Sequence, residues 1–135
     1  MSYARQIRVE FNHCDPAGIV FYPRYFEMTN SVCENFFRDE VGRSYDAMMT
    51  DRTGVPTVRL ETDFRAPSRL GDVLDWLLVV ERVGGSSTTL RLEARGNGAL
   101  RITVRKTIVF MTPDMRAGRW PDAVHAALTA HLEAA

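Results

Sequence analysis

The chain has 135 residues, of which 45% are hydrophobic, 10% aromatic and 25% charged, enough apolar mass to close one globular core and too little length for two. Seventeen Lys plus Arg balance seventeen Asp plus Glu, so no net field draws the chain onto nucleic acid or an anionic membrane. This composition excludes a disordered chain; the two cysteines, Cys14 and Cys33, form no CxxC pair and have no His cluster beside them, which excludes a structural zinc site and a disulfide scaffold. The N-terminus is charged, and the longest apolar run is Trp76 to Val80. The expectation is a cytoplasmic single domain, residues 1–135, with no metal, no cofactor, no membrane span and no nucleic-acid partner.

Alternation of Ile7, Val9 and Phe11 with Arg8 and Glu10 predicts a first strand over Ala4 to Phe11. Asp15-Pro16-Ala17-Gly18 then breaks the pattern as a turn, with Pro16 biasing Asp15 toward extended backbone. Pro23 suits the start of a helix running to about Arg38, with Tyr25, Phe26, Val32, Cys33, Phe36 and Phe37 as its apolar stripe. Its opposite seam is Arg24, Glu27, Ser31, Glu34 and Arg38, spaced for salt bridges. Phe26, Phe36 and Phe37 are expected in the core.

After a polar connector, Val58, Leu60, Thr62, Phe64 and Ala66 alternate with Arg59, Glu61, Asp63 and Arg65, a strand with one wet face. Strands follow over Val73 to Val83, Ser87 to Arg95 and Leu100 to Met111, separated by Gly84-Gly85 and by the hairpin signal Gly96-Asn97-Gly98. These connections are too short for crossover helices, so the strands are antiparallel neighbours. Pro121 opens a last short helix with Val124, Leu128 and Leu132 on one face, and His125 and His131 are expected at the surface. The fold class is α+β: a curved antiparallel five-stranded sheet wrapped around one long central helix, with a short C-terminal helix.

The segment from Phe11 to Phe26 is the densest in chemistry. It sets the carboxylate of Asp15 on a loop that runs into a helix N-terminus, where backbone N–H groups have no internal partners and can hold a developing oxyanion. A carboxylate beside such donors can attack an acyl carbon, or activate a water that does so. No Ser-His-Asp set accompanies it. Without an evident general acid, the chemistry favours a leaving group that needs little proton help, and a thiol, ionising near about 8.5, meets that requirement.

His13-Cys14-Asp15-Pro16-Ala17-Gly18-Ile19-Val20-Phe21-Tyr22-Pro23, with Tyr25-Phe26, resembles the signature of the hotdog-fold acyl-CoA thioesterases of the 4-hydroxybenzoyl-CoA thioesterase type. Pro67-Ser68-Arg69-Leu70-Gly71-Asp72 before an apolar strand is similar to that family's Gly-Asp turn. The resemblance implies a hotdog fold and acyl-CoA hydrolysis by a homodimer or homotetramer with sites between protomers. It gives Asp15 the role of catalytic carboxylate, as nucleophile or general base, and gives Tyr22 the backbone N–H that polarises the thioester carbonyl. The chain departs from the family in the turn Gly84-Gly85-Ser86-Ser87, where the aromatic-substrate enzyme carries basic residues for coenzyme A phosphate.

His13, Gly18, Phe21 and Tyr45 are the candidate contacts to the acyl group, with a structural hydrogen bond the alternative for His13. Arg65, Arg69, Ser86 and Ser87 are the candidates for coenzyme A. Arg105 and Lys106 join Arg65 and Arg69 either as a phosphate patch or as solvated strand charge. Cys14 is expected to be a small buried side chain. Two further readings stay open: hydrolysis of a carrier-protein thioester, and a hotdog domain that binds an acyl thioester without turning it over. A hydratase lacks the Asp/His pair that would activate water.

Overall fold

The computed structural model describes residues 1–133. Five strands, β1 (Ser2–Arg8), β2 (Thr57–Phe64), β3 (Val73–Val83), β4 (Ser87–Gly96) and β5 (Ala99–Val109), form one sheet in the order β1-β3-β4-β5-β2. Every neighbouring pair is antiparallel. The central strands carry the predicted period of two. Leu74, Trp76, Leu78 and Val80 of β3, Leu90, Leu92 and Ala94 of β4, and Ile102, Val104 and Ile108 of β5 are all buried on one face. Against them lies α1 (Tyr22–Phe36), which buries Tyr25, Met28, Val32, Cys33 and Phe36 at the three- and four-residue spacing of a helical face. The chain therefore closes its core between one helix and the concave side of one sheet.

The helix departs from its expected bounds in an instructive way. It begins one residue before Pro23 and passes after Phe36 into a π-helical turn, Phe37–Val41, which ends at Gly42 in the left-handed region. The wider turn lets Phe36 and Phe37, consecutive in sequence, both be fully buried with their rings edge-on at 5.8 Å. Phe26 is only half-buried. In the polar seam, Arg24 reaches Glu27 at 3.0 Å, but Arg38 turns to Asp39 at 2.8 Å and leaves Glu34.

Four expectations are corrected. The first strand stops at Arg8, because Glu10 N–H donates to His13 Nδ1 at 2.9 Å and His13 N–H to Glu10 O at 3.0 Å, which winds Phe11–His13 into a 3-10 turn and leaves Phe11 85% exposed. The polar connector contains a helix, α2 (Tyr45–Asp51), capped by Ser44 Oγ and anchored by buried Met48. The apolar residues of β2 are not dry: Val58, Leu60 and Phe64 are exposed, because β2 is a sheet edge that α1 covers only in part. His131, at the end of α3 (Asp122–Ala130), is buried rather than exposed; its ring stands edge-on to Phe36 at 5.3 Å and its Nε2 lies 3.4 Å from Glu40, because the tail folds back across the end of α1. His125 is exposed as expected. Among the described residues, no helix is long and apolar enough to cross a membrane.

Phe36 joins α1, β1 and the tail, so Phe36→Ala is expected to cost about 3–5 kcal/mol through lost contact and a residual cavity. Urea unfolding should show a lower midpoint with an unchanged slope.

Candidate active site

The segment before α1 is a tight hairpin. Cys14 bridges Val20, Asp15 N–H donates to Ile19 O at 3.0 Å, and Gly18 N–H donates to Asp15 O at 2.9 Å. Gly18 has φ +81° with open space beside it, so glycine is needed for the backbone conformation and not for room. Ala17 N–H donates to Asp15 Oδ1 at 2.9 Å, which fixes the half-buried carboxylate on its own turn. Among the described residues, Oδ2 has no hydrogen-bond partner, so one oxygen is held and the other is available.

The start of the helix is left open in the same manner. Phe21 occupies the cap position and no side chain caps the turn, where Ser, Thr, Asp or Asn would ordinarily accept a hydrogen bond. Phe21 N–H is taken by His13 O at 2.9 Å and Arg24 N–H by Phe21 O at 2.8 Å, while Pro23 has no N–H. Tyr22 N–H finds no acceptor among the described residues. One donor without a partner among the described residues, at the positive end of a 15-residue helix, therefore stands two peptide links beyond Val20, which the hairpin ties to Cys14, the neighbour of Asp15.

The hairpin is seated on a second loop, and that loop on one guanidinium. Val20 N–H donates to Ser68 O at 2.9 Å, and Ile19 bridges Arg69. Arg101, 7% exposed, donates through Nη1 to Pro67 O at 2.9 Å, Ser68 Oγ at 3.2 Å and Asp72 Oδ2 at 2.8 Å, and through Nη2 to Gly96 O at 3.0 Å. Tyr25 of α1 donates to the same Ser68 Oγ at 3.0 Å. Gly96 permits this packing, since a Cβ there would meet Arg101 Nη2 at 2.9 Å. Arg69 N–H and the Arg101 guanidinium together hold the Asp72 carboxyl below the usual carboxylate range.

Two surface clefts flank the N-terminal half of α1. The one toward β2, about 340 Å³, is walled by Ile19, Tyr22, Tyr25, Phe64 and Arg65, with Phe64 packed at 6.0–6.4 Å from the rings of Tyr22, Tyr25 and Phe26. The one toward β1, about 350 Å³, holds His13, Arg8, Glu27 and Met28. Phe21, half exposed, stacks edge-on to Tyr22 at 5.5 Å.

Of the residues singled out in the sequence, Asp15 and Gly18 lie on the hairpin that runs through Phe21 into α1 at Tyr22, with Tyr22 and Arg65 in the β2-side cleft and Arg69 paired to the hairpin. His13 accepts from Glu10 N–H through Nδ1 and faces the β1-side cleft. Tyr45 stacks on Phe37 at 6.0 Å, so it lies by the far end of α1, about 20 Å along the axis from Tyr22. Ser86 and Ser87 lie at the opposite end of β3 from Asp72, about 30 Å away, where Ser86 O accepts from Phe110 N–H and Ser87 O from Trp120 Nε1. The four-cation patch does not form: Arg105 points outward to Glu81 at 2.9 Å, while Lys106 points inward and is buried. Cys14 is half-buried, its thiol directed at Glu10 O, and burial pushes the Cys33 thiol up to about 11. Ser68 and Asp72 stood in the recognised turn motif, but Arg101, 29 residues further on, carried no local signal of its role.

Arg101→Met is expected to cost about 3 kcal/mol or more, because it leaves Asp72 without its cation and the loop carbonyls without their donor. The lowered Asp72 pKa also sets a sign: its contribution is complete above the unfolded carboxylate value near 4 and is lost as pH falls below that. Urea unfolding between pH 3 and 7 should show this acid-side loss in the native protein and a shallower one in Asp72→Asn.

Comparison with known proteins agrees with this architecture. Residues 9–128 match the thioesterase-like superfamily. A curated relative, 4-hydroxybenzoyl-CoA thioesterase from Pseudomonas sp. (strain CBS-3), is 32% identical over 75 residues, an alignment spanning 54% of this chain and 53% of the relative, about half its length. Among solved structures, a gentisyl-coenzyme A thioesterase superposes with TM-score 0.85 at 24% identity, covering 90% of this chain and 98% of that one. A 1,4-dihydroxy-2-naphthoyl-CoA thioesterase from Synechocystis superposes with TM-score 0.87 at 19% identity, covering 96% of each chain. These likenesses show the hotdog fold, and the family match over most of the sequence places the chain in the thioesterase-like superfamily.

Proposed function

We propose that this protein hydrolyses acyl-CoA thioesters, with Asp15 as the catalytic carboxylate and Tyr22 N–H as the donor to the carbonyl oxygen. The observation that carries the reading is a pair of groups with no partner among the described residues, one Asp15 oxygen and the N–H at an uncapped helix start, carried on one short hairpin. Attack by the carboxylate itself forms an acyl-enzyme anhydride that water then opens; attack by a water that Asp15 deprotonates gives the acid directly. In both, negative charge gathers on the former carbonyl oxygen, where Tyr22 N–H and the helix dipole oppose it, and the carbon–sulfur bond breaks to release a thiolate. A thiolate needs little protonation, which suits a site with no positioned general acid. The activity in the Pseudomonas relative's name supports the thioester class, and Arg65 and Arg69 beside the cleft offer the charge for coenzyme A phosphates.

The assembly we propose is a homodimer, or a homotetramer built from it, in a cytoplasmic protein. Edge strand β2 leaves backbone groups unpaired and exposes Val58, Leu60 and Phe64, so a second copy pairing there would extend the sheet and cover the β2-side cleft. A phosphate contact from Ser86 or Ser87 would then serve the site of a neighbouring protomer.

Asp15→Asn is expected to fold normally and lose about 10²-fold or more in kcat, read by free-thiol release over a panel of acyl-CoAs. Glu27→Gln and Glu34→Gln are the controls, and a greater loss in either would move the carboxylate onto α1. Sedimentation should give a dimer or larger species, and Leu60→Arg should shift it toward monomer with loss of turnover; a fully active monomer would refute the shared site.

A further inference from the structure

A hydroxyl on the wall of the β2-side cleft has a hydrogen-bonding capacity that the reaction above leaves unused. Tyr25 Oη and Ser68 Oγ lie 3.0 Å apart, and Arg101 Nη1 donates to the same Ser68 oxygen at 3.2 Å. A hydroxyl both donates and accepts, so the bond between Tyr25 and Ser68 can run in either direction. The guanidinium only donates, and it therefore fixes Ser68 Oγ as an acceptor. The two hydroxyls then hold two protons for the single bond between them, and one proton is surplus.

With Tyr25 donating, the surplus proton is that of Ser68, which is 0% exposed and finds no other acceptor among the described residues. A buried O–H without an acceptor is costly. With the bond reversed, Ser68 donates to Tyr25 Oη and the surplus proton is that of Tyr25. The surroundings of this oxygen belong to the cleft. Tyr25 is one of the cleft walls, Ser68 follows the wall residue Pro67, and Ser68 O accepts at 2.9 Å from the N–H of Val20, another wall residue. Tyr25 stands three residues after Tyr22, and both line this cleft from one side of α1. Side chains on a helix lean toward its N-terminus, so the Tyr25 ring reaches back over the turn that bears Tyr22 N–H.

We propose that Tyr25 is a further catalytic residue: when a thioester enters the cleft, Tyr25 O–H turns from Ser68 to the carbonyl oxygen and joins Tyr22 N–H as a second donor to the oxyanion. Ser68 O–H turns to Tyr25 Oη in the same step, while Arg101 holds Ser68 in place. No covalent bond changes in this exchange, in which two hydroxyls rotate and the surplus donor gains an acceptor. It rests on the reading of Asp15 and Tyr22 above. Negative charge on the carbonyl oxygen is greatest in the transition state, so the Tyr25 bond strengthens as the carbon is attacked.

Tyr25→Phe keeps the ring and removes only the hydroxyl. Its kcat should fall by about 10²-fold with KM little changed, the signature of a donor that acts on the transition state. Ser68→Ala should lower the thermal midpoint at least as far as Tyr25→Phe, since it strips both Arg101 and Tyr25 of a partner, yet cost less in kcat because the Tyr25 proton remains. A purely structural tie would make the losses in kcat follow the losses in thermal midpoint across the two variants. That pattern, or native kcat in Tyr25→Phe, would overturn the proposal. Isotope-edited infrared spectroscopy of benzoyl-CoA and hexanoyl-CoA bound to Asp15→Asn reads the contact without turnover. The thioester carbonyl stretch should lie below its solution value, and adding Tyr25→Phe should move it back toward that value. A stretch at the solution value in Asp15→Asn, or one unmoved by Tyr25→Phe, would overturn the proposal while leaving the hydrolase reading to stand on the kcat of Asp15→Asn. The expected shifts in a protein whose native form hydrolyses neither thioester would sustain the Tyr25 contact and defeat the hydrolase reading.

Discussion

The guanidinium of Arg101 is the fixed point on which the site is built. It lies buried at the sheet's end and gathers Pro67 O, Ser68 Oγ, Asp72 and Gly96 O into one network. Through Ser68 that network holds Val20 N–H and Tyr25 of α1, and through Arg69 it holds Ile19. The hairpin bearing Asp15 and the helix start bearing Tyr22 are thus tied to the same few atoms, so their mutual position is set by a buried polar network rather than by a mobile loop. A network of this kind is costly if any member is lost, which explains why a charge is kept in a place where an apolar side chain would otherwise serve.

Two features that weaken the isolated fold make sense as chemistry. An uncapped helix start forgoes about 1 kcal/mol of ordinary capping, and the unclaimed N–H is the one we propose meets the oxyanion. An exposed apolar edge strand is a hazard for a monomer, and in β2 it forms one wall of the cleft beside Tyr22. Both read as places where stability was traded for function.

Sequence pattern made much of this visible. The central strands follow a two-residue alternation interrupted at their bulges, and Asn97-Gly98 closes the β4–β5 hairpin where the turn residues require it. The turn carrying Asp15 and the helix start near Tyr22 were legible because turn residues, proline and helix start are contiguous. What escaped depended on tertiary context. The Phe11–His13 turn arises from a His13 side-chain bond that competes with the strand ladder, and the short α2 signalled itself only by Ser44 and the spacing of Tyr45 and Met48. His131 reads as a surface residue, Lys106 as part of a phosphate patch or as solvated strand charge, and Arg101 carries no signal at all, since nothing local distinguishes a cation that will meet carbonyls, an Asn or a Phe ring from one that meets water.

The most direct test of the account is a crystal structure of Asp15→Asn with an intact acyl-CoA bound. The account requires the thioester carbonyl oxygen within hydrogen-bond distance of Tyr22 N–H, the scissile carbon beside residue 15, and the acyl group in the cleft toward β2. A thioester seated instead in the β1-side cleft, with its carbonyl at His13 or Glu27, would contradict it.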